Sequence, residues 1–234
     1  TVYAFGIEID KVLALMIDAH ASTAYAVPAG YLHFRLEPTR GRVAAILADR
    51  TSFIDPDYPY VTRIDGVTID KWIDIISVVV SRGTRQHHRT VALQCLHWIQ
   101  FVRDLAGAPH QRSVLVEFET KEGSARKTLS LPVSDTYPAA GRWPAIPSQI
   151  LPGNIGYLRI KAWDESAATE IETWMPRFGS TSGLIVDLRD NTGGSRNILR
   201  GLYPYLVTAA DPPRVANVAR YRLYEGFGPD HLAG

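Results

Sequence analysis

The sequence has a single cysteine, Cys95, among its 234 residues. A disulfide within the chain is therefore impossible, and so is a metal site built from several cysteines. No apolar run is long enough to cross a bilayer as a helix. The chain contains neither a Gly-x-x-x-x-Gly-Lys-Ser/Thr nor a Gly-x-Gly-x-x-Gly pattern, so nothing in it predicts a nucleotide-binding loop.

An excess of charge of one sign is also lacking, because 25 basic and 24 acidic residues leave a net charge of +1. A strongly basic surface is the usual mark of nucleic-acid binding, so we predict no nucleic-acid partner. The composition, 46% hydrophobic and 21% charged, is that of an ordinary globular protein with a sizeable core. Lysine is scarce, and the five lysines are Lys11, Lys71, Lys121, Lys127 and Lys161.

Neither end of the sequence has the pattern of a natural terminus. The chain begins at Thr1 without a methionine or a signal-like segment, and residues 228–234 contain no helix stop. We therefore expect both ends to be cuts in a longer protein.

The first 135 residues predict a mixture of helices and short strands. Apolar residues at helical spacing predict helices over residues 7–18, 67–80 and 90–105. Alternating apolar and polar residues predict strands over residues 31–36, 42–48, 60–64, 113–119 and 127–133. Asp65-Gly66 predicts a tight turn, and residues 121–124 predict the turn of a hairpin.

The second part of the chain alternates strands with helices after a proline-rich stretch at residues 134–154. The predicted strands span residues 155–163, 183–190 and 216–225, and the predicted helices span residues 165–178, stopping near Pro176, and 195–207. The strand at 183–190 is continuous and apolar, which is typical of a strand buried on both faces. This order predicts an α/β layer with mainly parallel pairing.

Asn191-Thr192-Gly193-Gly194 lies between such a strand and the following helix. The carboxyl ends of parallel strands are where α/β proteins place their sites. Glycines there allow positive φ and a close approach of backbone N–H groups to a ligand, and the helix N-terminus adds positive charge. The stretch therefore favours an anion or a developing oxyanion. An ordinary strand-to-helix turn has the same composition, so the residues alone leave both interpretations open.

Four stretches resemble one family. Residues 185–194 resemble the Asp-Leu-Arg-x-Asn-x-Gly-Gly signature of the carboxyl-terminal processing, or tail-specific, proteases, which are serine peptidases with a Ser–Lys dyad. Residues 156–160 are similar to the Gly-Tyr-Ile-Arg-Ile strand that opens the catalytic core of that family. Residues 18–22 resemble its Asp-Gly-His-Thr segment, and residues 42–133 resemble its PDZ module, with residues 63–67 in place of Ile-x-Ile-Asp-Gly.

The resemblance implies a fold class and a domain organisation. We expect a mixed α/β catalytic-core segment of parallel strands with helices, preceded by a PDZ-like α+β module and a short helical N-terminal segment. The expected regions are 1–40 for the end of the N-terminal helical region, 41–135 for the PDZ-like module with a helical insertion, 136–154 for a linker and 155–234 for the first part of the protease-like core.

The resemblance also implies an activity and its residues. We expect a serine-type endopeptidase that cleaves partner proteins near their C-termini. The backbone N–H of Gly193 or Gly194 would supply half of the oxyanion hole, and Asp187, Arg189 and Asn191 would hold the shape of the turn. In the family, the catalytic serine and lysine come later in the chain, so we expect both downstream of Gly234 and predict that this chain alone is inactive.

The resemblance implies a polypeptide substrate, in particular a C-terminal tail, with no cofactor, no metal, no nucleic acid and no membrane span. It leaves oligomerisation open and points to the periplasm or the cell exterior. Two non-catalytic alternatives use the same architecture: a small-ligand binder like the retinoid-binding modules of the interphotoreceptor matrix, and a pseudoenzyme scaffold that keeps only peptide binding.

Three smaller patterns have competing interpretations. Ser124 and Lys127 have the Ser-x-x-Lys spacing of some serine hydrolases, but they flank a predicted hairpin turn and not a helix start. His87, His88, Cys95 and His97 fit no standard zinc spacing, and Cys95 lies on an apolar stripe, which favours a core thiol. His20 lies two residues after Asp18, and capping or packing at a helix end explains it better than acid–base chemistry.

Overall fold

The structure is a computed structural model that describes residues 1–16, 18, 21–208 and 210–212. The chain divides into two compact units, Thr1–Pro144 and Ala145–Gly234. In the described part, no helix has both the length and the apolar character that a bilayer crossing requires.

The first unit contains four helices in its described residues: α1 (Val2–Leu13), α2 (Ile69–Ile76), α3 (Arg85–Cys95) and α4 (Ile99–Leu105). A threonine caps the N-terminus of each of the first three helices, and its side chain accepts a hydrogen bond from a backbone N–H of the first turn. Thr1 accepts from Ala4, Thr68 from Lys71 and Thr84 from His87. Such caps satisfy N–H groups that have no partner within the helix.

The described part of this unit also contains one antiparallel sheet of seven strands. In chain order they are β1 (Tyr31–Leu32), β2 (Phe34–Thr39), β3 (Arg42–Leu47), β4 (Tyr60–Ile64), β5 (Val67–Thr68), β6 (Ser113–Glu119) and β7 (Arg126–Ser134). The spatial order is β1-β7-β6-β4-β3-β2, and β5 pairs with β4. The predicted tight turn joins β4 to β5, where Asp65 and Gly66 have φ values of 50° and 76°.

The core of the first unit lies between this sheet and its helices. Its fully buried members include Phe34, Phe118, Ile64 and Trp72. The Trp72 indole N–H donates to the carbonyl of Ile64 at 2.9 Å, which satisfies the polar atom of a buried aromatic ring. The resemblance to a PDZ domain stays a prediction, and α3 and α4 occupy the stretch where a helical insertion was expected.

All three helix predictions in this unit are wrong in their bounds. The helix predicted over residues 67–80 is α2, because residues 67 and 68 form β5 and the helix ends at Ile76. The helix predicted over residues 90–105 is two helices, because the chain leaves the helical path at Trp98, with φ −81° and ψ 67°. At this break the carbonyl of His97 accepts the N–H of Leu32 at 3.0 Å. The helix predicted over residues 7–18 is α1, which begins at Val2 because the Thr1 side chain caps it there, and which ends at Leu13. Gly6 lets this helix pack against the ring of Tyr25.

In its described residues, the second unit contains a three-stranded sheet and two α-helices. Its elements are β8 (Gln149–Leu151), β9 (Ile155–Arg159), α5 (Glu165–Phe178), β10 (Gly183–Asp187) and α6 (Leu199–Leu202). β10 is parallel to β9, and β8 is antiparallel to β9 on its other side. Asp164 caps α5, which crosses from β9 to β10 and packs Ile171 and Met175 over Leu158 and Ile160. The predicted parallel strand–helix–strand unit is confirmed.

Several details of the second unit differ from the predictions. Residues 149–151, predicted to be linker, form β8. β10 is not buried on both faces, because Ile185 is 47% exposed and β10 pairs only with β9 in the described residues. The helix predicted over residues 195–207 consists of α6 flanked by two single 3₁₀ turns, and α5 continues past Pro176 to Phe178. The strand predicted over residues 216–225 lies outside the described residues.

Candidate functional site

The candidate site lies where the parallel strands β9 and β10 end. Asp187, the last residue of β10, is in register with Arg159, the last residue of β9. Beyond them the chain turns sharply at Asp190, which has a φ of 62°. The Asn191 N–H donates to the carbonyl of Leu188 at 3.0 Å and closes this turn. The glycine turn, defined here as residues 191–195, therefore begins at the carboxyl end of a parallel sheet.

The Asn191 side chain fixes the start of the glycine turn. Its Nδ2 donates to the carbonyl of Ile160 at 3.1 Å, and its Oδ1 accepts the N–H of Gly193 at 2.8 Å. A single amide side chain thus ties the turn both to itself and to the neighbouring chain after β9.

The backbone of Trp163 fixes the other end of the glycine turn. The Trp163 N–H donates to the carbonyl of Gly193 at 2.8 Å, and the Trp163 carbonyl accepts the N–H of Ser195 at 2.8 Å. These two bonds bring Gly194 alongside Trp163 in a parallel bridge. The turn is therefore anchored on both sides of Gly194.

The two glycines are required for different reasons. Gly193 has a φ of 98°, but a Cβ there would meet open space. Gly194 has a φ of 134°, and a Cβ there would lie 2.2 Å from the carbonyl oxygen of Trp163. Positive φ alone explains why residue 193 is a glycine. Gly194 also allows the backbone of Trp163 to approach closely, which any side chain would block.

The two glycine amides also differ in their bonding. The Gly193 N–H is held by Asn191. The Gly194 N–H makes no hydrogen bond with any described residue, and Gly194 is exposed. Of the two predicted oxyanion-hole donors, Gly194 is the one whose N–H is available to a ligand.

A charge cluster lies directly before the turn, around the buried carboxylate of Asp187. Arg189 binds it in a bidentate manner, with Nε 2.9 Å from Oδ1 and Nη2 2.7 Å from Oδ2. Arg159 Nη1 lies 2.9 Å from Oδ1, and the Tyr157 hydroxyl donates to Oδ2. Asp187 and Arg159 are each only 6% exposed, so their charges compensate each other away from water.

These contacts hold each group of the cluster in one protonation state. Hydrogen bonds from Arg189 hold the pKa of the Asp187 carboxyl well below its ordinary value, although desolvation opposes them. The hydrogen bond to Asp187 raises the pKa of Arg189. Burial, together with the hydrogen bond to Asp187, raises the pKa of the Tyr157 hydroxyl. At neutral pH the Asp187 carboxyl therefore stays ionised, Arg189 stays protonated and the Tyr157 hydroxyl stays neutral, so the cluster is a fixed ionic support.

The comparisons with known proteins point to this part of the chain. Residues 154–212 match the model of peptidase family S41. The match covers β9, α5, β10 and the glycine turn, and it supports a serine peptidase of family S41 that acts on polypeptides. No curated protein matches the chain.

Sequence reasoning missed two members of the cluster within the S41 match. It named Asp187, Arg189 and Asn191, and the structure adds Tyr157 and Arg159 from the neighbouring strand. The signal was their spacing, because alternate residues of a strand lie on the same face. Only the parallel register of β9 with β10 shows that this face carries the partners of Asp187.

The Ser-x-x-Lys spacing at residues 124–127 does not form a dyad. The Ser124 hydroxyl lies 3.3 Å from the Thr120 hydroxyl, within the turn between β6 and β7. Lys127 donates to Asp55 at 2.9 Å, and this hydrogen bond raises the pKa of Lys127. A lysine acting as general base needs a lowered pKa, so the pair is unsuited to the chemistry of an S41 peptidase.

The histidines and the cysteine are not assembled for metal binding in the described residues, where no three His, Cys, Asp or Glu side chains converge. Cys95 packs against the core of the first unit, and burial raises its pKa to about 12. Burial, with the charge of Arg35 adding to it, lowers the pKa of His97 to about 4. His20 lies outside the described residues.

Proposed function

We propose that this chain forms part of a serine endopeptidase of the carboxyl-terminal processing type, which cleaves polypeptides near their C-termini. The observation that carries the proposal is the exposed Gly194 N–H, which has no acceptor among the described residues and belongs to a turn anchored on both sides. The S41 match over residues 154–212 supports the same assignment. Part of the same proposal is a location in the periplasm or outside the cell.

In this mechanism the Gly194 N–H donates to the oxyanion that forms when a serine attacks the scissile carbonyl. A donor that is already aimed at the developing charge needs no reorganisation during the reaction. In known hydrolases, one such donor lowers the barrier by about 2.7–4 kcal/mol. Asn191 and Trp163 hold the donor in place, and Asp187 with its two arginines supports the strand end that leads into the turn.

The nucleophile and the base belong to residues that follow Gly234 in this proposal. In the resembled family both come after the glycine turn, and residues 195–234 contain one serine, Ser195, and no lysine. A lysine that serves as the base would have to be neutral, which requires burial or a cationic neighbour. Lys161, the one lysine of the second unit, is exposed.

The proposal is tested by comparing two proteins on one substrate. The 234-residue chain and the same chain extended by the coding sequence that follows Gly234 are each incubated with an unfolded protein of known C-terminal sequence. Mass spectrometry should find cuts near the C-terminus with the extended protein only. Replacement of its downstream serine by alanine should abolish them. Cleavage by the 234-residue chain itself, or an extended protein without such a serine and lysine, would contradict the proposal and favour a binding protein.

A further inference from the structure

Strands β8 and β9 stop pairing before β9 ends. Their register places Gln149 opposite Tyr157. Two residues further along β9, the same register would place Pro147 opposite Arg159. Proline has no N–H and cannot donate to the carbonyl of Arg159, so the ladder ends there. In place of a backbone hydrogen bond to β8, the Arg159 N–H donates to the Ser148 hydroxyl at 3.0 Å.

The early end of the ladder leaves two backbone groups of β9 and its extension without partners. Neither the carbonyl of Arg159 nor the N–H of Lys161 makes a hydrogen bond with any described residue. An unpaired carbonyl and an unpaired N–H two residues apart on a strand edge form the pattern that an added extended strand satisfies.

A cavity of about 590 Å³ opens at the same place. Residues 145–148 line one side, residues 159–161 line the other, and Ser166, Ala167, Thr169 and Glu170 of α5 complete it. This volume lies within the range of ligand pockets. We call this feature the β9 slot.

The chemistry of the β9 slot favours an apolar side chain. Ala145, Ile146, Pro147, Ile160 and Ala167 contribute apolar surface to its wall. Its lining also holds three charged side chains, Arg159, Lys161 and Glu170. Arg159 is paired with Asp187, and Glu170 accepts a hydrogen bond from the Ser148 hydroxyl. The apolar lining of the cavity, and not a net charge, therefore determines which side chain it binds.

The β9 slot and the free amide lie at the same end of β9. Lys161 lines the slot, and Trp163, two residues further along the chain, carries the carbonyl against which Gly194 packs. We propose that the β9 slot binds an extended segment of polypeptide, which pairs with Arg159 and Lys161 and places an apolar side chain in the cavity. This proposal rests on the proposed peptidase function and names the part of the substrate that this surface recognises.

The test uses the 234-residue chain and a fluorescently labelled alanine–serine heptapeptide with one central leucine. Fluorescence anisotropy measures its binding, and a second peptide carries aspartate in place of leucine. One missing methylene in an apolar pocket already weakens binding about 10–200-fold, so the aspartate peptide should bind at least about tenfold more weakly than the leucine peptide. In an amide NMR spectrum, the leucine peptide should shift the resonance of Lys161.

Two tryptophan variants locate the binding. Thr169→Trp fills the cavity, whereas Thr173→Trp adds the same bulk one turn further along α5, at an exposed position that does not line the cavity. Thr169→Trp should weaken binding of the leucine peptide at least about tenfold, and Thr173→Trp should leave it unchanged. No binding by the unaltered chain, or equal binding by the two variants, would overturn the proposal.

The binding test and the cleavage test fail separately. If Thr169→Trp leaves the affinity for the leucine peptide unchanged, the β9 slot is refuted, whereas the proposed peptidase activity is not. An extended protein that binds the leucine peptide through the β9 slot but cleaves nothing refutes the peptidase and leaves the peptide site in place.

Discussion

The side-chain oxygen of Asn191 accepts the N–H of Gly193 at 2.8 Å, while the next amide, that of Gly194, has no acceptor among the described residues. This one contact makes the two adjacent amides different: the N–H of Gly193 holds the turn, and the N–H of Gly194 is available to a ligand. The opposite end of the Asn191 side chain binds the carbonyl of Ile160, so the separation is tied to the end of β9.

Replacement of Asn191 should loosen the glycine turn. Asn191→Ala removes both side-chain hydrogen bonds, each worth about 0.5–1.5 kcal/mol, so amides of the second unit should lose about 1–3 kcal/mol of protection in native-state hydrogen exchange. Asn197→Ala is the control, since Asn197 is exposed and its side chain makes no hydrogen bond with described residues. Equal effects of the two variants would show that Asn191 does not hold the turn.

The two glycines should respond differently to alanine. Gly193→Ala has room for its Cβ and should cost only the penalty of positive φ, about 1–2 kcal/mol of the free energy of unfolding. Gly194→Ala carries that penalty and also forces the Trp163 carbonyl away, which adds about 1–3 kcal/mol. Urea unfolding of the two variants provides the comparison. A costlier Gly193→Ala would mean that the close approach to Trp163 is wrong.

Removal of the charge of Asp187 should destabilise the second unit. Asp187→Asn leaves the buried Arg159 without its nearest countercharge, and loss of one member of a buried ion pair costs about 3–5 kcal/mol. Hydrogen exchange of the β9 amides measures this loss. Glu172→Gln, which removes an exposed acid from α5, is the control and should be nearly neutral. A loss of the same small size in both variants would contradict the importance of the ionic cluster.

Asp187 should also make the second unit sensitive to acid. Its pKa is lowered in the folded state, so its contribution is complete above the unfolded pKa, near 4, and is lost as the pH falls toward the folded value. The stability difference between the original chain and Asp187→Asn should therefore shrink as the pH is lowered below about 4. A difference that stays constant from pH 6 to pH 3 would be inconsistent with this coupling.

His97 should make the first unit lose stability between pH 6.5 and pH 4. Its folded pKa is about 4, because the ring is buried and the charge of Arg35 adds to the effect of burial. The unfolded chain therefore binds more protons in this window, and stability falls by up to about 3 kcal/mol as the pH falls through it. Hydrogen exchange of the β6 amides at several pH values measures the slope. His97→Leu should remove it, whereas the control His87→Gln, at an exposed position, should leave it unchanged.

Local patterns predicted most of the longer strands but not β5 and β8, because alternation and turn residues act over a few positions. The β4–β5 turn at Asp65-Gly66 and the hairpin of β6 and β7 follow directly from their residues. The break between α3 and α4 could not be found in this way, because the apolar stripe continues through it. The contact at the break, from Leu32 to the carbonyl of His97, joins residues far apart in the chain.

The candidate site shows the same division. The glycine turn and its place after a strand were predictable, since glycines and an apolar run are local signals. The roles of Tyr157 and Arg159 depend on the register of β9 with β10, and the role of Pro147 depends on the register of β8 with β9. Sequence alone gave no reason to prefer Gly194 over Gly193, because the difference lies in which amide Asn191 binds.

The most direct test of the account is the exchange of the two glycine amides with solvent. The chain is labelled with ¹⁵N-glycine, and NMR measures how fast each amide proton exchanges at neutral pH. We expect slow exchange at Gly193, whose N–H is bonded to Asn191, and fast exchange at Gly194, whose N–H has no acceptor among the described residues. Protection of the Gly194 amide equal to that of Gly193 would show that it already has an acceptor, and the proposed oxyanion donor would then not exist.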